Sequence, residues 1–478
     1  MTLDPRTCYR AMRARDARFD GRFFVAVSST RIYCRPVCTV KPPRRENCRF
    51  YPSAAAAESA GYRPCLRCRP ELAPGNASVD ATTRLAQAAA SLIEDRTPED
   101  GSLERIARRL GITGRHLRRA FGAQFGVSPV EFAQTQRLLL AKRLLTDTAL
   151  PVTEIAFASG FGSVRRFNAL FRSRYRLRPS ALRRAASGAA ADTLEFELAL
   201  RPPYDWAAMS AFLAARAVAG VESVQEGRYR RTACVVAEGS EHRGWIEAGM
   251  SWKKPALRVA VSASLAKALP PVLSRVKALM DLACHPLEVA QALGELARAH
   301  PGLRVPGAFD GFEVAVRAIL GQRITVAAAR TLAGRFAAAL GEPLDTPFDS
   351  LTTVFPTAER VAGAPPGRIA RLGVPGARAR TVLALARLVA RGELVLMPNA
   401  DLEATLEKLR SIPGVGEWTA QYIAMRALAW PDAFPHTDLG VMKALGEKDA
   451  RRVLRAGEAW RPWRAYAVMH LWQSLAKE

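Results

Sequence analysis

Two pairs of cysteines stand out in the 478-residue sequence: Cys34 and Cys38 in Cys-Arg-Pro-Val-Cys, and Cys65 and Cys68 in Cys-Leu-Arg-Cys. Each pair closes a short loop on two vertices of a tetrahedron, and the 26 residues between them are chain enough to bring both pairs to one ion. Zinc is the natural occupant. The set reads as a structural staple or as a reactive centre. Four thiolates on one dication leave an excess of two negative charges, and sulfur that electron-rich attacks a soft electrophile such as a methyl group. Arg35, Lys41, Arg44, Arg45 and Arg49 crowd the segment, and cationic neighbours favour the nucleophilic thiolate. Cys8 and Cys48 lie outside the pattern and read as ordinary small residues.

A second constellation lies near the other end. Ile412-Pro413-Gly414-Val415-Gly416 separates two helical stretches. Its glycines let the backbone approach a phosphate and present N–H groups at a helix start. A contact of that kind grips any duplex without reading its sequence. Asp438 comes 20 residues after Trp418. Taken alone, Asp438 reads equally as a helix N-cap and as a catalytic carboxylate. Trp418 and Tyr422 are four apart and share a helix face, as core packing or as part of an aromatic site.

These groups need elements to position them, and the chain is long enough for three or four domains. The net charge of +26 is uneven: residues 1–190 hold 34 Lys and Arg against 15 Asp and Glu, and residues 191–478 hold 36 against 29. Such a field concentrates polyanions, with nucleic acid the default partner. No apolar run approaches bilayer length, and Met1 to Asp16 is too charged for a signal peptide. The expected location is therefore the cytoplasm, at the nucleoid, where paired cysteines favour metal over disulfide.

Phe23 to Val27 reads as a buried strand leading to the first cysteine pair. Pro70 to Asp80 is a linker by composition, and Ala185 to Ala191 marks another boundary. Between them runs a repeat. Ile106-Ala107 and Gly111 recur 49 residues later as Ile155-Ala156 and Gly160, and Leu117, Phe121, Phe125 and Pro129 recur at an offset of 50 as Phe167, Phe171, Tyr175 and Pro179. Each copy reads as helix, turn and basic amphipathic helix, a helix-turn-helix. In the second helices, near Gly114–Phe125 and Ser163–Arg174, the apolar stripe faces the core. Arg115, His116, Arg118 and Arg119, then Arg165, Arg166 and Asn168, are left for a DNA groove. Further on, Thr193 to Leu198 alternates as a half-buried strand. Thr232 to Val236 and Leu257 to Val261 are strand-like, and Trp206–Ala217 and Ser264–Leu282 helical. Residues 296–478 read as nearly all helix.

These motifs carry resemblances. Ile32 to Cys38, Arg45-Glu46-Asn47, Phe50-Tyr51 and Gly61 to Cys68 resemble the N-terminal domain of the Ada methylation-response regulators. The resemblance implies that Cys34 takes a methyl group from a DNA methylphosphotriester, with Cys38, Cys65 and Cys68 as companion zinc ligands and Arg35 and Arg45 near the DNA. The repeat resembles the AraC-type DNA-binding domain, which follows the zinc domain in that family. The usual second methyltransferase motif, Pro-Cys-His-Arg, is missing; the one Cys-His pair is Cys284-His285 between Ala283 and Pro286. Instead Arg201 to Trp206, Phe312 to Gln322, the hairpin with Asp438, and Pro462 to Trp472 are similar to AlkA-type 3-methyladenine DNA glycosylases of the helix-hairpin-helix superfamily. That likeness implies an aromatic base pocket of Trp418, Tyr422 and Trp472, and Asp438 stabilising the positive sugar as the base departs. It also implies DNA contacts by Ile412, Gly414, Gly416, Gln322 and Arg323. Arg323 stands where other members carry an apolar wedge, and its guanidinium can stack in the gap left by a flipped base. Relatives that cleave the strand carry a Schiff-base lysine at the position of Trp418, so imine chemistry is not expected.

The expectation is a multidomain α+β chain. Residues 1–75 would be a small zinc-binding α/β domain, 81–186 an all-α double helix-turn-helix domain, 192–295 an antiparallel-sheet α+β domain, and 296–478 an all-α helix-hairpin-helix glycosylase domain. The expected function is methyl sensing and transcriptional activation joined to excision of alkylated purines. The expected partners are damaged and promoter duplex DNA and RNA polymerase, for a monomer with no membrane contact. The alternative is a DNA-binding regulator without enzyme activity, its zinc site purely structural.

Overall fold

The structure is a computed structural model that describes residues 4–74, 81–95, 102–110, 112–148, 150–182, 192–237, 239–251, 254–398 and 400–475. Gly111 of the repeat, the later part of the expected linker and the 185–191 boundary lie outside these residues. At the front, Asp4 caps the helix Pro5–Arg13, and that helix lays Cys8, Ala11 and Met12 on Phe23, Val25 and Cys48. Cys8 and Cys48 are thus core residues. Four short strands follow: β1 (Phe24–Val27), β2 (Ile32–Cys34), β3 (Cys48–Tyr51) and β4 (Arg63–Pro64), in the order β3-β1-β2-β4. β1 pairs antiparallel with β2, setting Val25 opposite Cys34, whereas β4 runs parallel to β2 and sets Pro64 opposite Tyr33. A six-residue helix, Ala54–Ser59, is capped by Ser53 and buries most of its length.

The expected repeat is present. The helices Gly114–Phe125 and Val164–Tyr175 have matching ends: Thr113 and Ser163 cap their starts, and Gly126 and Arg176 close them in the left-handed conformation. Ser163, read above as the first helical residue, is the cap itself, its hydroxyl accepting from the Arg166 amide. A long helix, Pro129–Asp147, joins the two units and opens with a Ser128/Glu131 capping box. Leu117, Phe121, Phe125 and Phe132 fill the first unit's core. The second unit stacks Phe161, Phe167, Phe171 and Tyr175 in a core that runs on into the next region. Phe167, Phe171 and Tyr175 pack in one continuous cluster with Leu194, Phe196, Leu198 and Leu269 of the next region. Arg143 of the joining helix reinforces the weld, donating to the Glu197 carbonyl at 3.1 Å and lying 4.6 Å over the Phe196 ring.

Pro70–Leu72, expected within a linker, is instead a packed turn. The Glu71 side chain is buried; its two oxygens each accept from Lys142 Nζ at 2.7 Å, and Oε1 also accepts from Arg69 Nε at 3.1 Å. The sheet beyond is antiparallel and five-stranded: β5 (Thr193–Ala199), β6 (Glu222–Gln225), β7 (Arg228–Ala237), β8 (Ser240–Met250) and β9 (Ala256–Ser262), ordered β5-β9-β8-β7-β6. β8 escapes a reading by alternation because Gly244 and Gly249 interrupt it. Gly244 is there because any Cβ would run into the Ser262 hydroxyl on the neighbouring strand. The helix expected over 264–282 begins only at Leu269, where Pro270 and Pro271 occupy its first turn; Ala263–Ala268 is a tighter 3-10 segment.

The last region is helical apart from a two-residue ladder, Glu342–Pro343 with Thr353–Val354. Its core gathers Phe336, Leu385, Ile423, Val441 and Val468. The helix Trp206–Arg216 from the sheet region leans on the same core through Ala208 and Phe212. Among the described residues no helix is long and apolar enough to cross a membrane.

Candidate metal centre and candidate active site

β2 delivers Cys34 at its last position, and the parallel β2–β4 bridge carries the second pair to it: the Cys65 amide donates to the Tyr33 carbonyl at 3.0 Å. Cys38 returns through a tight turn, its amide on the Arg35 carbonyl at 3.1 Å. The four sulfurs lie within 4.8 Å of one another, with Cys34, Cys38 and Cys65 buried and Cys68 half-buried. Crowded so, hydrogen bonding to Cys38, Cys65 and Cys68, together with burial, pushes the Cys34 thiol well up. A bound dication reverses that balance, and four sulfurs this close together are a donor set that zinc takes.

Arg35, expected at the DNA, is turned inward. It is 8% exposed. Its Nε donates to Asp20 Oδ1 at 2.8 Å, its Nη2 bonds Asp20 Oδ2, and its Nη1 donates to the Cys68 carbonyl at 3.1 Å. Its amide donates to the Cys68 sulfur at 3.3 Å. Arg35 therefore braces the site, because a guanidinium so committed has no reach to a phosphate. Arg45 sits exposed on the turn Arg45–Asn47. Arg115, His116, Arg118 and Arg119 are all exposed on the first recognition helix, with Arg118 also 3.2 Å from exposed Glu104. Arg165 and Arg166 are exposed on the second, and Asn168 is half-buried.

At the far site, Asp438 is the N-cap of the helix Leu439–Ala444, its Oδ1 accepting from the Val441 amide at 2.9 Å. The same carboxylate accepts two indole N–H bonds: Trp472 Nε1 to Oδ1 and Trp418 Nε1 to Oδ2, each 2.8 Å. The helix cap and the candidate reactive group are one residue. The two tryptophans, expected only as pocket walls, also orient the carboxylate. Gly440 makes this possible, since a Cβ there would come within 3.0 Å of both Asp438 Oδ1 and the Trp472 ring. Tyr422 stacks on Trp418, ring centres 5.3 Å apart, and Trp472 lies parallel to Phe212 at 6.3 Å.

Phe212 and Arg216 were not legible in sequence. The Arg216 guanidinium lies 3.8 Å over the Phe212 ring, and Arg426 donates to the Tyr422 hydroxyl at 2.8 Å. Burial opposes ionisation of Tyr422, but Arg426, Arg216 and Arg317 outweigh it and hold the phenol below its usual range. Spacing of four residues places Phe212 and Arg216 on one helix face; nothing local says that this face meets Trp472.

The hairpin holds Gly414 in the left-handed region at φ 93°, where any Cβ would strike the Thr381 hydroxyl. Gly416 precedes the helix Glu417–Arg426, which has no side-chain cap, so its first N–H groups remain for an anion. Two expected DNA contacts are otherwise engaged. Ile412 is 3% exposed, its amide donates to the Leu409 carbonyl and its own carbonyl accepts from the Val415 amide, so it packs. Gln322 donates from Nε2 to the Gly414 carbonyl and the Thr419 hydroxyl, both 2.9 Å, and so props the hairpin. Arg323 is exposed, at φ 57°. Cys284 is fully buried and its thiol is pushed up to about 11 by burial, the opposite of an activated nucleophile.

Comparison with known proteins agrees with this geometry. Four family models match in succession: the metal binding domain of Ada over residues 7–71, a helix-turn-helix domain over 106–185, the AlkA N-terminal domain over 195–310, and the HhH-GPD superfamily of base excision DNA repair proteins over 316–450. A Mycobacterium tuberculosis protein described as a probable bifunctional transcriptional activator/DNA repair enzyme AlkA is 40% identical over 98% of this chain and 96% of its own length. The DNA-3-methyladenine glycosylase 2 of Escherichia coli K12 is 39% identical over 58% of this chain and 96% of its own. The bifunctional transcriptional activator/DNA repair enzyme Ada of the same organism is 39% identical over 30% of this chain and 38% of its own. The chain belongs to the family of bifunctional transcriptional activator/DNA repair enzymes of the AlkA type, an Ada-like front joined to an AlkA-like glycosylase.

Proposed function

We propose that this chain excises alkylated purines of the 3-methyladenine type from duplex DNA and reports the same damage through irreversible methyl transfer to Cys34. In excision, the hairpin amides at Gly414 and Gly416 grip a phosphate and the damaged nucleotide turns out against Trp418, Tyr422 and Trp472. A purine alkylated on a ring nitrogen is already a good leaving group. Asp438 then has one task, to stabilise the positive charge that grows on the sugar and to orient water. Two indole bonds keep its oxygens in place. The observation that carries this reading is that doubly held carboxylate beside an aromatic cluster, since a fold that only grips DNA needs the hairpin alone.

In sensing, Cys34 Sγ attacks the methyl carbon of a DNA methylphosphotriester. The S–C bond forms, the C–O bond breaks, and the phosphodiester leaves as its anion. Zinc, when bound, holds the four sulfurs as thiolates. Asp20 and Arg35 fix the loop that carries Cys68, and Arg45 offers charge to the backbone. The thioether left on Cys34 removes one negative charge from the site. That weakens repulsion of phosphate and strengthens promoter binding by Arg115, His116, Arg118, Arg119, Arg165, Arg166 and Asn168. In this reading the chain acts as a monomer in the cytoplasm, at the nucleoid, and presents RNA polymerase to alkylation-repair promoters. Arg323 stacks in the gap left by the flipped base.

The test is to incubate the full-length protein with methylated duplex DNA, assay free 3-methyladenine, and weigh the Cys34 peptide. Base release together with one added methyl on Cys34 is expected. No release sinks the glycosylase reading, and no methyl on Cys34 sinks the sensor reading.

A further inference from the structure

Phe125 and Tyr175 are equivalent residues, each the last of its recognition helix. One short helix, Ala54–Ser59, meets both ends. Ser53, its N-cap, accepts from the Ala56 amide at 3.0 Å and donates its hydroxyl to the Phe125 carbonyl at 2.6 Å. The adjoining Gly126 backs onto the same helix, and a Cβ there would lie 3.4 Å from Pro52 and from Ala56. At the opposite end, Glu58 Oε1 accepts the Tyr175 hydroxyl at 3.2 Å and the Tyr33 hydroxyl at 2.9 Å, and its Oε2 accepts the Thr135 hydroxyl at 3.2 Å. The Glu58 carbonyl accepts from Arg174 at 3.3 Å. Thr135 belongs to the helix that joins the two units, and Tyr33 is the strand residue just before Cys34.

Glu58 is 3% exposed. A carboxylate buried that deeply is tolerable only when its oxygens are matched, and here the partners come from three separate elements. Neither methyl transfer nor base excision uses it. What the contacts do together is fix the ends of two recognition helices on one rigid piece.

We propose that the helix Ala54–Ser59 is a splint that sets the separation and rotation of the two recognition helices, so that the zinc-binding segment decides the spacing of the two half-sites the chain reads. Tyr33 anchors the splint on the strand that ends at the methyl-accepting cysteine. The inference rests on the reading that both recognition helices enter DNA, one helical turn apart or nearly so.

The test uses the full-length chain and a random-sequence duplex pool, from which the preferred site is selected. Duplexes carrying that site with one base pair added or removed between its halves are then titrated. Wild type should favour the selected spacing by about tenfold in Kd. Ser53→Ala and Tyr175→Phe each delete one hydroxyl, and the first unit already has Phe at the position of Tyr175. Each should cut the preference to about threefold or less while Kd for the selected site stays within about threefold. Glu58→Gln keeps an oxygen to accept from Tyr33 and Tyr175, and its NH2 can donate to the Thr135 hydroxyl, so it should retain the preference. Methyl uptake and base excision should not change in any of the three. A spacing preference of wild-type strength in both hydroxyl-deleted variants would overturn the splint, as would an equal loss of affinity at every spacing. If wild type selects no sequence at all, the two-helix reading fails and the splint with it.

Discussion

In the proposed function Cys34 and Asp438 both act on methylated DNA as anions, yet they are held in opposite ways. Cys34 ends a three-residue strand and its neighbours are loops; the small apolar cluster at the site consists of cysteines with Ile32 and Val40 packed beside them. Such a segment buries too little to fix four sulfurs by itself, so the ion is part of the fold. Asp438 starts a helix in a large helical core, and three N–H groups of the chain fix both its oxygens. The difference matches the proposed use. A group consumed once can depend on an ion that its own modification disturbs, whereas a group that must turn over is better held by bonds the reaction leaves intact.

Substitutions should separate the two sites. The largest effect is Cys34→Ser, which should abolish methyl uptake, while base release stays within about twofold because the sites share no side chain. Removing zinc with a chelator should do the same and also unfold the front segment, seen as loss of protection from protease between residues 20 and 70. Next, Asp438→Asn should slow single-turnover release of 3-methyladenine by about a thousandfold, ~4 kcal/mol, with methyl uptake unaffected. An amide can still cap the helix, but its NH2 then faces an indole N–H.

A smaller effect concerns the splint. Burial raises the Glu58 carboxyl to about 7, against the lowering influence of Tyr33, Thr135, Tyr175 and Arg174. A folded-state pKa above the ordinary carboxylate value means the proton binds the folded chain more tightly. The stability it lends is full below about pH 4.5 and is lost as pH rises through about 7. Urea melts at pH 5 and pH 8 should therefore differ by on the order of 2–3 kcal/mol more in wild type than in Glu58→Gln. The smallest effect is Trp472→Phe, which removes one charge-assisted bond from Asp438. It should lower the excision rate about tenfold, ~1.5 kcal/mol, with little change in KM.

The two sites also differ in how far they can be read from sequence. Zinc ligands come in local pairs, so Cys34, Cys38, Cys65 and Cys68 were legible from spacing. The grip on Asp438 comes from residues 20 and 34 positions away, on two other helices, and Phe212 from a different region altogether. Arg35 misled because a basic residue in a basic segment says nothing of burial; its partner Asp20 lies fifteen residues earlier, across the sheet. Ile412 misled because its motif marks the hairpin, not which of its residues face out. Alternation found β5, β7 and β9 and missed β8, whose Gly244 answers to a neighbouring strand. The repeat was plain in sequence, but the continuity of its second copy's core with the sheet was not, because both surfaces read as ordinary apolar stripes.

In the proposed function one site is spent and the other reused, and a single time course tests that contrast. Full-length protein is mixed with a large excess of methylated duplex DNA, and methyl groups on the protein and free 3-methyladenine are followed together. Methyl uptake should level off at one per chain, all of it on Cys34, while base release continues at a constant rate past many equivalents. Uptake that passes one per chain or lands elsewhere, or base release that stops at one equivalent, would contradict it.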